Sequence, residues 1–276
     1  MTNSTNAKSP GHTPARQLLW TPALAFCWRD VVRFLRQRNR IIGALATPLV
    51  FWLLVGSGFG PSFRNPAAGA DAGSYLAYFF PGILVLIMLF TAIFSTISVI
   101  EDRREGFLQG ALVAPLSPAA IPLGKYLGGT VLAVLQALVF CVLAPLAGIS
   151  LGIHQLALLL PALILVGFAM TGLGFLVAWP MDSTQGFHAI MNVFLMPLWM
   201  MSGALFPMPS GTGWLHLVAL LNPVSYGVTA IRGAFSPWVG GGFPSGYIAG
   251  LAVTLLFAAI LFGISVSLVA RRSRRN

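Results

Sequence analysis

Five consecutive charged residues, Glu101 to Glu105, are followed by Gly106 in a chain where charged residues make up only 8% of the total. Acids and bases are costly inside lipid, so this run is expected outside the hydrocarbon region, between two membrane spans. Its carboxylates and guanidinium groups could hold a soluble partner protein through ion pairs. The simpler alternative is a solvated helix end, in which Glu101 and Glu105 lie one turn apart and pair locally with Arg104.

The rest of the sequence has the composition of an integral membrane protein. Hydrophobic residues make up 57% of the chain, and the mean hydropathy is +0.85. A helix needs roughly 20 apolar residues to cross a bilayer core about 30 Å thick. Six stretches without Asp, Glu, Lys or Arg qualify: 41–59, 75–100, 126–148, 155–179, 187–206 and 247–270. Such continuous apolar runs favour helices over barrel strands, so we expect an all-α membrane protein with six transmembrane helices.

The positions of the basic residues predict the orientation. Of the 16 Lys and Arg residues, 14 lie before the first span, between the second and third, or after the sixth. The positive-inside rule places these three regions in the cytoplasm, so we expect a multi-pass protein of the cell (inner) membrane with both termini cytoplasmic. Anionic lipid headgroups account for the net charge of +10, and no nucleic acid partner is expected. Residues 1–16 are expected to form a disordered cytoplasmic tail.

An amphipathic pattern precedes the first span, between residues 22 and 40. Apolar residues recur there at helical spacing, while Arg29, Arg33, Arg36 and Arg40 fall on another face. This pattern predicts an N-terminal amphipathic interfacial helix. Its apolar side chains would enter the headgroup boundary, and its arginines would meet lipid phosphates or a protein surface.

A second irregular segment, residues 214–234, precedes the last span. Asn222-Pro223 divides it into two apolar arms, each too short to cross a membrane. The segment is therefore predicted to form an outer re-entrant helical hairpin, with the freed backbone groups at its apex needing partners. Arg232 is expected to reach the outer interface or to bond to backbone carbonyls at the hairpin turn.

Both segments resemble parts of the permeases of type-2 ATP-binding-cassette (ABC) exporters. After the second span, those permeases carry a Glu-Arg-Glu-x-Gly-Thr-Leu-Glu pattern, a proline and a Gly-Lys pair, and a similar succession occurs here in residues 101–125. Phe107 and Gln109 replace the usual Thr and Glu. The Leu-Asn-Pro-Val-Ser-Tyr sequence that ends at Tyr226, followed by Ile231-Arg232, is similar to their re-entrant segment before the last span.

This resemblance implies a permease domain over residues 17–276 with a coupling segment at about 101–124. That segment would dock on a cytoplasmic ABC ATPase subunit, and a second permease copy or a related chain would complete the unit. The export substrate would be amphipathic, drug-like or linked to a lipid or glycan, and would leave the cytoplasm or inner leaflet. The implied coupling residues are Glu101, Asp102, Arg103, Arg104, Glu105, Gly106 and Pro115; those of the hairpin are Asn222, Pro223, Tyr226 and Arg232.

The sequence carries no phosphate-binding loop of the G-x-x-x-x-G-K-[ST] type. Its Gly124-Lys125 pair is followed by Tyr126, and Ala119 stands where the first glycine should be. We therefore expect a non-enzymatic chain without a cofactor, with ATP and Mg bound by the partner ATPase. No metal site is predicted either, because the methionines near residue 196 lack Cys or His at ligand spacing.

Two other functions stay open at this stage. An ion-coupled secondary transporter usually has ionisable residues within its spans or internal repeats, and neither is seen in this sequence. A non-transporting membrane scaffold is compatible with every feature above. Close contact between helices is also predicted at Gly124-x-x-x-Gly128, which could support dimerisation.

Overall fold

The computed structural model describes residues 19–59, 75–114, 116–207, 213–236, 243 and 246–273. The predicted tail at 1–16 and Pro115 lie outside this part of the chain. Within it the secondary structure is entirely helical, with a short 3-10 helix at Ala144–Ala147. The α-helices are α1 (Trp20–Arg36), α2 (Arg38–Phe59), α3 (Tyr75–Arg104), α4 (Phe107–Val113), α5 (Ala120–Cys141), α6 (Ile153–Ala178), α7 (Thr184–Met200), α8 (Trp214–Leu221), α9 (Pro223–Phe235) and α10 (Tyr247–Ser273).

Helix α3 is the centre of the bundle. Nearly all of its side chains are buried, and it packs against α2, α5, α6, α7 and α9. Small residues allow the neighbouring backbones to come close. A Cβ atom added to Gly174 of α6 would lie 2.7 Å from Thr96 Oγ1, and one added to Gly82 of α3 would lie 2.6 Å from the carbonyl oxygen of Ala204. Close approach through small residues is how helices associate when lipid removes the hydrophobic driving force.

Five helices of the described residues are long and apolar enough to cross a membrane: Ile41–Gly58, Tyr75–Arg104, Ala120–Cys141, Ile153–Ala178 and Tyr247–Ser273. Their outer faces carry exposed apolar stripes. On α5, for example, Val131, Leu135 and Val139 are each about half exposed and recur every four residues. Apolar faces of this kind suit contact with lipid chains. The chain is therefore an all-α membrane protein, as the sequence predicts.

Helix α7 has 17 residues and continues into turns after Met200. The segment nevertheless follows α3 along its whole length. Asp182, just before α7, contacts Arg103 near the last turn of α3, whereas the Tyr75 hydroxyl at the start of α3 donates to the carbonyl of Leu205 at 2.9 Å. The predicted span at 187–206 thus consists of a helix and the turns after it, and the total of six spans stays a prediction.

Residues 214–234 contain two short helices in succession, as predicted, with Asn222 between them. The Asn222 side chain caps α9 by accepting a hydrogen bond from the Val224 N–H at 3.0 Å, and Pro223 occupies the first helical position. The side-chain amide nitrogen of Asn222 donates to the carbonyl of Leu198 in α7 at 2.5 Å. Asn222 thereby attaches the join of α8 and α9 to α7, while re-entry into the membrane stays a prediction.

Helix α1 packs on the beginning of α5. A Cβ atom on Gly124 would lie 2.5 Å from Phe26 Cβ, and one on Gly128 would lie 3.5 Å from Asp30 Cβ. The expectation that this Gly-x-x-x-Gly pair supports dimerisation is wrong, because α1 of the same chain covers it. The other face of α1 exposes Trp20, at 64%, and Trp28, at 71%, in keeping with an interfacial helix.

Candidate functional site

Charged side chains from three helices meet at one end of the bundle. We define the charged cluster as Arg29, Asp30 and Arg33 of α1, Ser98, Glu101 and Asp102 of α3, Glu105 directly after α3, and Lys125 of α5. Its residues from α3 recur at helical intervals and so share one face. The packing of α1 on Gly124 and Gly128 places the acid and bases of α1 against that face.

Lys125 is at the centre of the charged cluster. Its ammonium group lies 2.8 Å from Asp30 Oδ2 and 2.5 Å from Asp102 Oδ2, and it donates to Ser98 Oγ at 3.0 Å. Three acceptors therefore match its three donors. The Asp102 side chain is 1% exposed and that of Lys125 is 3% exposed. Charges so deeply buried are tolerated only when paired and hydrogen-bonded, as they are here.

The arginines of α1 close the charged cluster towards solvent. Arg33 contacts Asp102 at 3.1 Å and Glu105 at 2.7 Å, with Glu101 at 3.5 Å, and Arg29 contacts Asp30 and Asp102. Burial acts to lower the pKa of Arg33, but the hydrogen bond with Glu105 and the three nearby carboxylates raise it on balance. Arg29 and Arg33 thus pair with acids of their own chain, rather than with phosphates or a partner as the sequence suggested.

Arg103 and Arg104 bind the connection between α6 and α7. Arg103 donates to the carbonyls of Trp179 and Met181 and contacts Asp182, and Arg104 Nε donates to the Asp182 carbonyl at 2.7 Å. The predicted local pairing of Arg104 with Glu101 and Glu105 is wrong. Arg104 points to the connection between α6 and α7, and Arg33 contacts the two glutamates instead.

Helix α4 follows the charged cluster and has two contrasting faces. Gly106, with φ 78°, adopts the left-handed conformation that turns the chain out of α3. Leu108 and Leu112 are buried, whereas Phe107 is 42% exposed and Val113 is 70% exposed. The guanidinium of Arg29 lies 3.9 Å from the centre of the Phe107 ring, a cation–π contact that links α4 to α1.

The residues of the predicted hairpin gather at the other end of the bundle. Arg232 donates to the carbonyl of Gly203 at 3.0 Å and lies 4.4 Å from the centre of the Tyr78 ring. The Tyr78 hydroxyl donates to the same carbonyl at 3.0 Å. Arg232 therefore bonds to a carbonyl as predicted, but to one in the turn after α7 rather than at Asn222. The Tyr226 hydroxyl donates to the Leu220 carbonyl in α8.

Sequence reasoning missed the central role of Asp30 and Lys125. Asp30 is the first acid of the chain and lies within a basic stretch, a signal that could have suggested a buried ion pair. The sequence indicates Lys125 as a cytoplasmic charge and as part of the Gly-Lys pair, without a partner for its ammonium group. Of the other predicted residues, Arg36 is exposed, and the side chain of Arg40 lies outside the described part. The described residues include no group of His, Cys, Asp and Glu that could hold a metal ion.

Comparison with known proteins gives the family. The family profile described as "ABC-2 type transporter" matches residues 22–236, from the first turn of α1 to the end of α9. The chain belongs to the ABC-2 type transporter family. This ABC-2 permease is 30% identical to the transport permease ycf38 of Cyanophora paradoxa over 216 residues, which are 75% of this chain and 72% of the relative.

Two bacterial relatives cover similar shares of the permease. It is 25% identical over 236 residues to the daunorubicin resistance ABC transporter permease protein DrrB1 of Streptomyces coeruleorubidus, covering 81% of this chain and 78% of the relative. It is also 25% identical over 239 residues to nodulation protein J of Rhizobium leguminosarum bv. viciae, covering 85% and 88% respectively. Membership of this family implies association with an ABC ATPase subunit.

Proposed function

We propose that this ABC-2 permease is the transmembrane subunit of an ATP-driven exporter, and that its separate ATPase docks on the exposed face of α4. One observation carries the proposal: an exposed short helix is attached directly to the buried charged cluster. Phe107 and Val113 offer the apolar contacts of a docking surface, and Glu105, 57% exposed, offers a charge beside them. Apolar contact with a polar rim is the usual composition of a protein interface.

The charged cluster would transmit a displacement of α4 to the neighbouring helices of the bundle. The ring of Phe107 is linked to α1 through Arg29, and Lys125 links α1 to both α3 and α5. A buried network of hydrogen-bonded charges holds its helices in one arrangement more firmly than isolated contacts do. A displacement of α4 by the ATPase would therefore move α1, α3 and α5 together rather than α4 alone.

The orientation follows from the same arrangement. Arg103 and Arg104, the charged cluster and the last turn of α10 lie at one end, where Ser273 Oγ donates to the carbonyl of Leu112 in α4. We assign this end to the cytoplasm under the positive-inside rule, with six crossings of the inner membrane and both termini inside. The contact of Arg232 with Gly203 would then close the outer end of the pathway.

The substrate would be amphipathic, drug-like or linked to a lipid or glycan, and the working unit would contain a second permease copy or a related chain. Relatives named for daunorubicin resistance and for nodulation support export of such compounds. An ion-coupled carrier is favoured less, because the buried acids of the described residues, Asp30 and Asp102, lie at one end rather than midway along the spans.

The test is copurification of the permease from its native membrane with an ABC ATPase subunit. Val113→Asp adds a charge to the exposed face of α4 and should abolish copurification and transport-linked ATP hydrolysis. Ser183→Asp is the matched control, because Ser183 is exposed at the same end and caps α7, a role that Asp can also fill. If Val113→Asp copurifies with the ATPase as well as Ser183→Asp does, α4 is not the docking helix.

A further inference from the structure

Two exposed arginines flank the join of α1 and α2. Arg36 ends α1 and Arg38 begins α2, and neither forms an ion pair with an acid in the part of the chain that the structure describes. Arg29 and Arg33, in the preceding turns of α1, are paired with Asp102 of α3. The arginines in the middle of α1 are therefore neutralised by acids of the same chain, whereas the arginine at the C-terminal end of α1 is not neutralised by a described residue.

A surface groove of about 470 Å³ lies at this join. Its lining residues are Arg36, Gln37, Arg38 and Asn39, and we call it the elbow groove. Gln37 leaves the helical conformation, with φ −98° and ψ 80°, so the first turn of α2 borders the groove with backbone N–H groups that have no partner within the helix. The carboxamide oxygen of Gln37 is buried and has no hydrogen-bond partner among the described residues.

The charge of the elbow groove differs from that of its neighbour. A second groove of about 580 Å³ shares Arg36 and Gln37 and is also lined by Arg29, Arg33 and Glu105. Arg29 and Arg33 are already paired with acids of the charged cluster. The lining of the elbow groove includes no acid, so its two arginines give it a net positive charge. In the elbow groove an external anion meets two arginines that have no acidic partner among the described residues, whereas Arg29 and Arg33 of the other groove are already paired.

The surrounding surface indicates that this anion belongs to a lipid. Trp28, Leu35 and Ile42 are exposed at 71%, 46% and 60% along α1 and the start of α2. Tryptophan is enriched at the level of the lipid headgroups, and α2 continues from there as an apolar span. The elbow groove thus lies where a phospholipid can place its phosphate among the arginines and its acyl chains beside Leu35 and Ile42.

We propose that the elbow groove binds the phosphate of an anionic phospholipid from the leaflet at the charged end of the bundle. Arg36 and Arg38 would hold the phosphate, with the N–H groups of the first turn of α2 as further donors. Phosphatidylglycerol carries a net negative charge, whereas the choline ammonium of phosphatidylcholine would be repelled by the two arginines, so the elbow groove favours phosphatidylglycerol. Such a site would fix the height of the α1–α2 join in the membrane independently of the ATPase.

Native mass spectrometry of the purified full-length permease tests this site. The protein is titrated separately with phosphatidylglycerol, phosphatidylcholine and inorganic phosphate, and the first bound molecule is quantified. Phosphatidylglycerol should bind most tightly, and Arg36→Gln with Arg38→Gln should weaken it at least about tenfold. Arg271→Gln with Arg272→Gln, which removes the same charge from the last turn of α10, should leave the affinity unchanged. Arg36→Lys with Arg38→Lys should retain most of it.

Three results would overturn the proposal. Equal affinity for phosphatidylglycerol and phosphatidylcholine would show that the groove does not select an anionic lipid, as the proposal requires. An equal loss in the α10 variant would show general charge attraction rather than a site. Inorganic phosphate that displaces the lipid as effectively as more lipid does would show a site for free phosphate. Because the arginines are exposed and unpaired among the described residues, their variants should fold. The single variant Arg38→Gln, which removes half as much charge, should also lower the affinity for phosphatidylglycerol.

Discussion

The ammonium group of Lys125 lies 2.8 Å from the carboxylate of Asp30, deep between α5 and α1. This contact connects the interfacial helix to a transmembrane helix through charges that water barely reaches. Together with Asp102 it forms a buried acid–base–acid arrangement. Removal of Lys125 would leave both acids without their shared basic partner, and the resulting loss of stability can be measured.

Lys125→Met should strongly destabilise the permease. Breaking a buried ion pair on one side costs about 3–5 kcal/mol, because the remaining charge stays buried without compensation. A clear fall in the thermal unfolding midpoint in detergent is expected. The double variant Asp30→Asn with Lys125→Met removes one charge of each sign and should recover much of this loss. A double variant that unfolds as early as the single one would contradict a direct coupling between these residues.

Glu101→Lys combined with Glu105→Lys should weaken the complex with the ATPase and its transport-linked ATP hydrolysis. Glu105 is exposed beside α4 and Glu101 is partly exposed one turn before it, and reversal of their charge would alter the proposed docking surface. Both also contact Arg33, so Arg33→Gln is the control for loss of the internal pairs. Such partly exposed pairs contribute at most about 1 kcal/mol each. If Arg33→Gln reproduces the whole defect, the glutamates act on α1 and not on the ATPase.

Much of this fold could be predicted from the sequence because apolar length and turn residues act locally. The long apolar spans and the two short helices beside Asn222 follow from chain composition alone. The partners of the charges could not be predicted in this way. Asp30 shares a helix with Arg29 and Arg33, so the sequence is equally compatible with a local ion pair between Asp30 and one of these arginines. The contact of Asp30 with Lys125 forms only because α1 packs on α5. The same packing, invisible in the local pattern, covers Gly124 and Gly128.

Cys27 should react slowly with maleimide in the folded permease. Burial, and secondly the negative charge of Asp30, raise the pKa of its thiol above the usual value. Because the thiolate is the reactive form, the labelling rate at a given pH should be lower than for a free cysteine. The pH profile should be shifted to higher pH relative to the same protein unfolded in detergent. The experiment uses the Cys141→Ala background, and coincident profiles for folded and unfolded protein would contradict the prediction.

Cysteine accessibility can decide whether α7 and its following turns cross the membrane. Single cysteines at Ser183 and Phe206, both exposed, flank this segment in a background without Cys27 and Cys141. Six crossings require Ser183 to react only from the cytoplasm, as Ser117 should, and Phe206 only from outside, as Ser150 should. Labelling of Ser183 and Phe206 from the same side would contradict six crossings.

Arg232→Leu should impair export while leaving the ATPase bound. The change removes the hydrogen bond to the carbonyl of Gly203 and the contact with the Tyr78 ring, which together attach α9 to α3 and to the turn after α7. Hydrogen bonds from charged groups contribute about 1.5–3 kcal/mol, so the outer end should loosen without any change at α4, at the opposite end of the bundle.

Transport in vesicles and copurification of the ATPase are measured on the same preparation. Arg232→Lys retains the charge and should give an intermediate loss, and Tyr226→Phe, which affects only a bond within the hairpin to Leu220, should give little. Full transport by Arg232→Leu would show that this contact is not required to close the pathway.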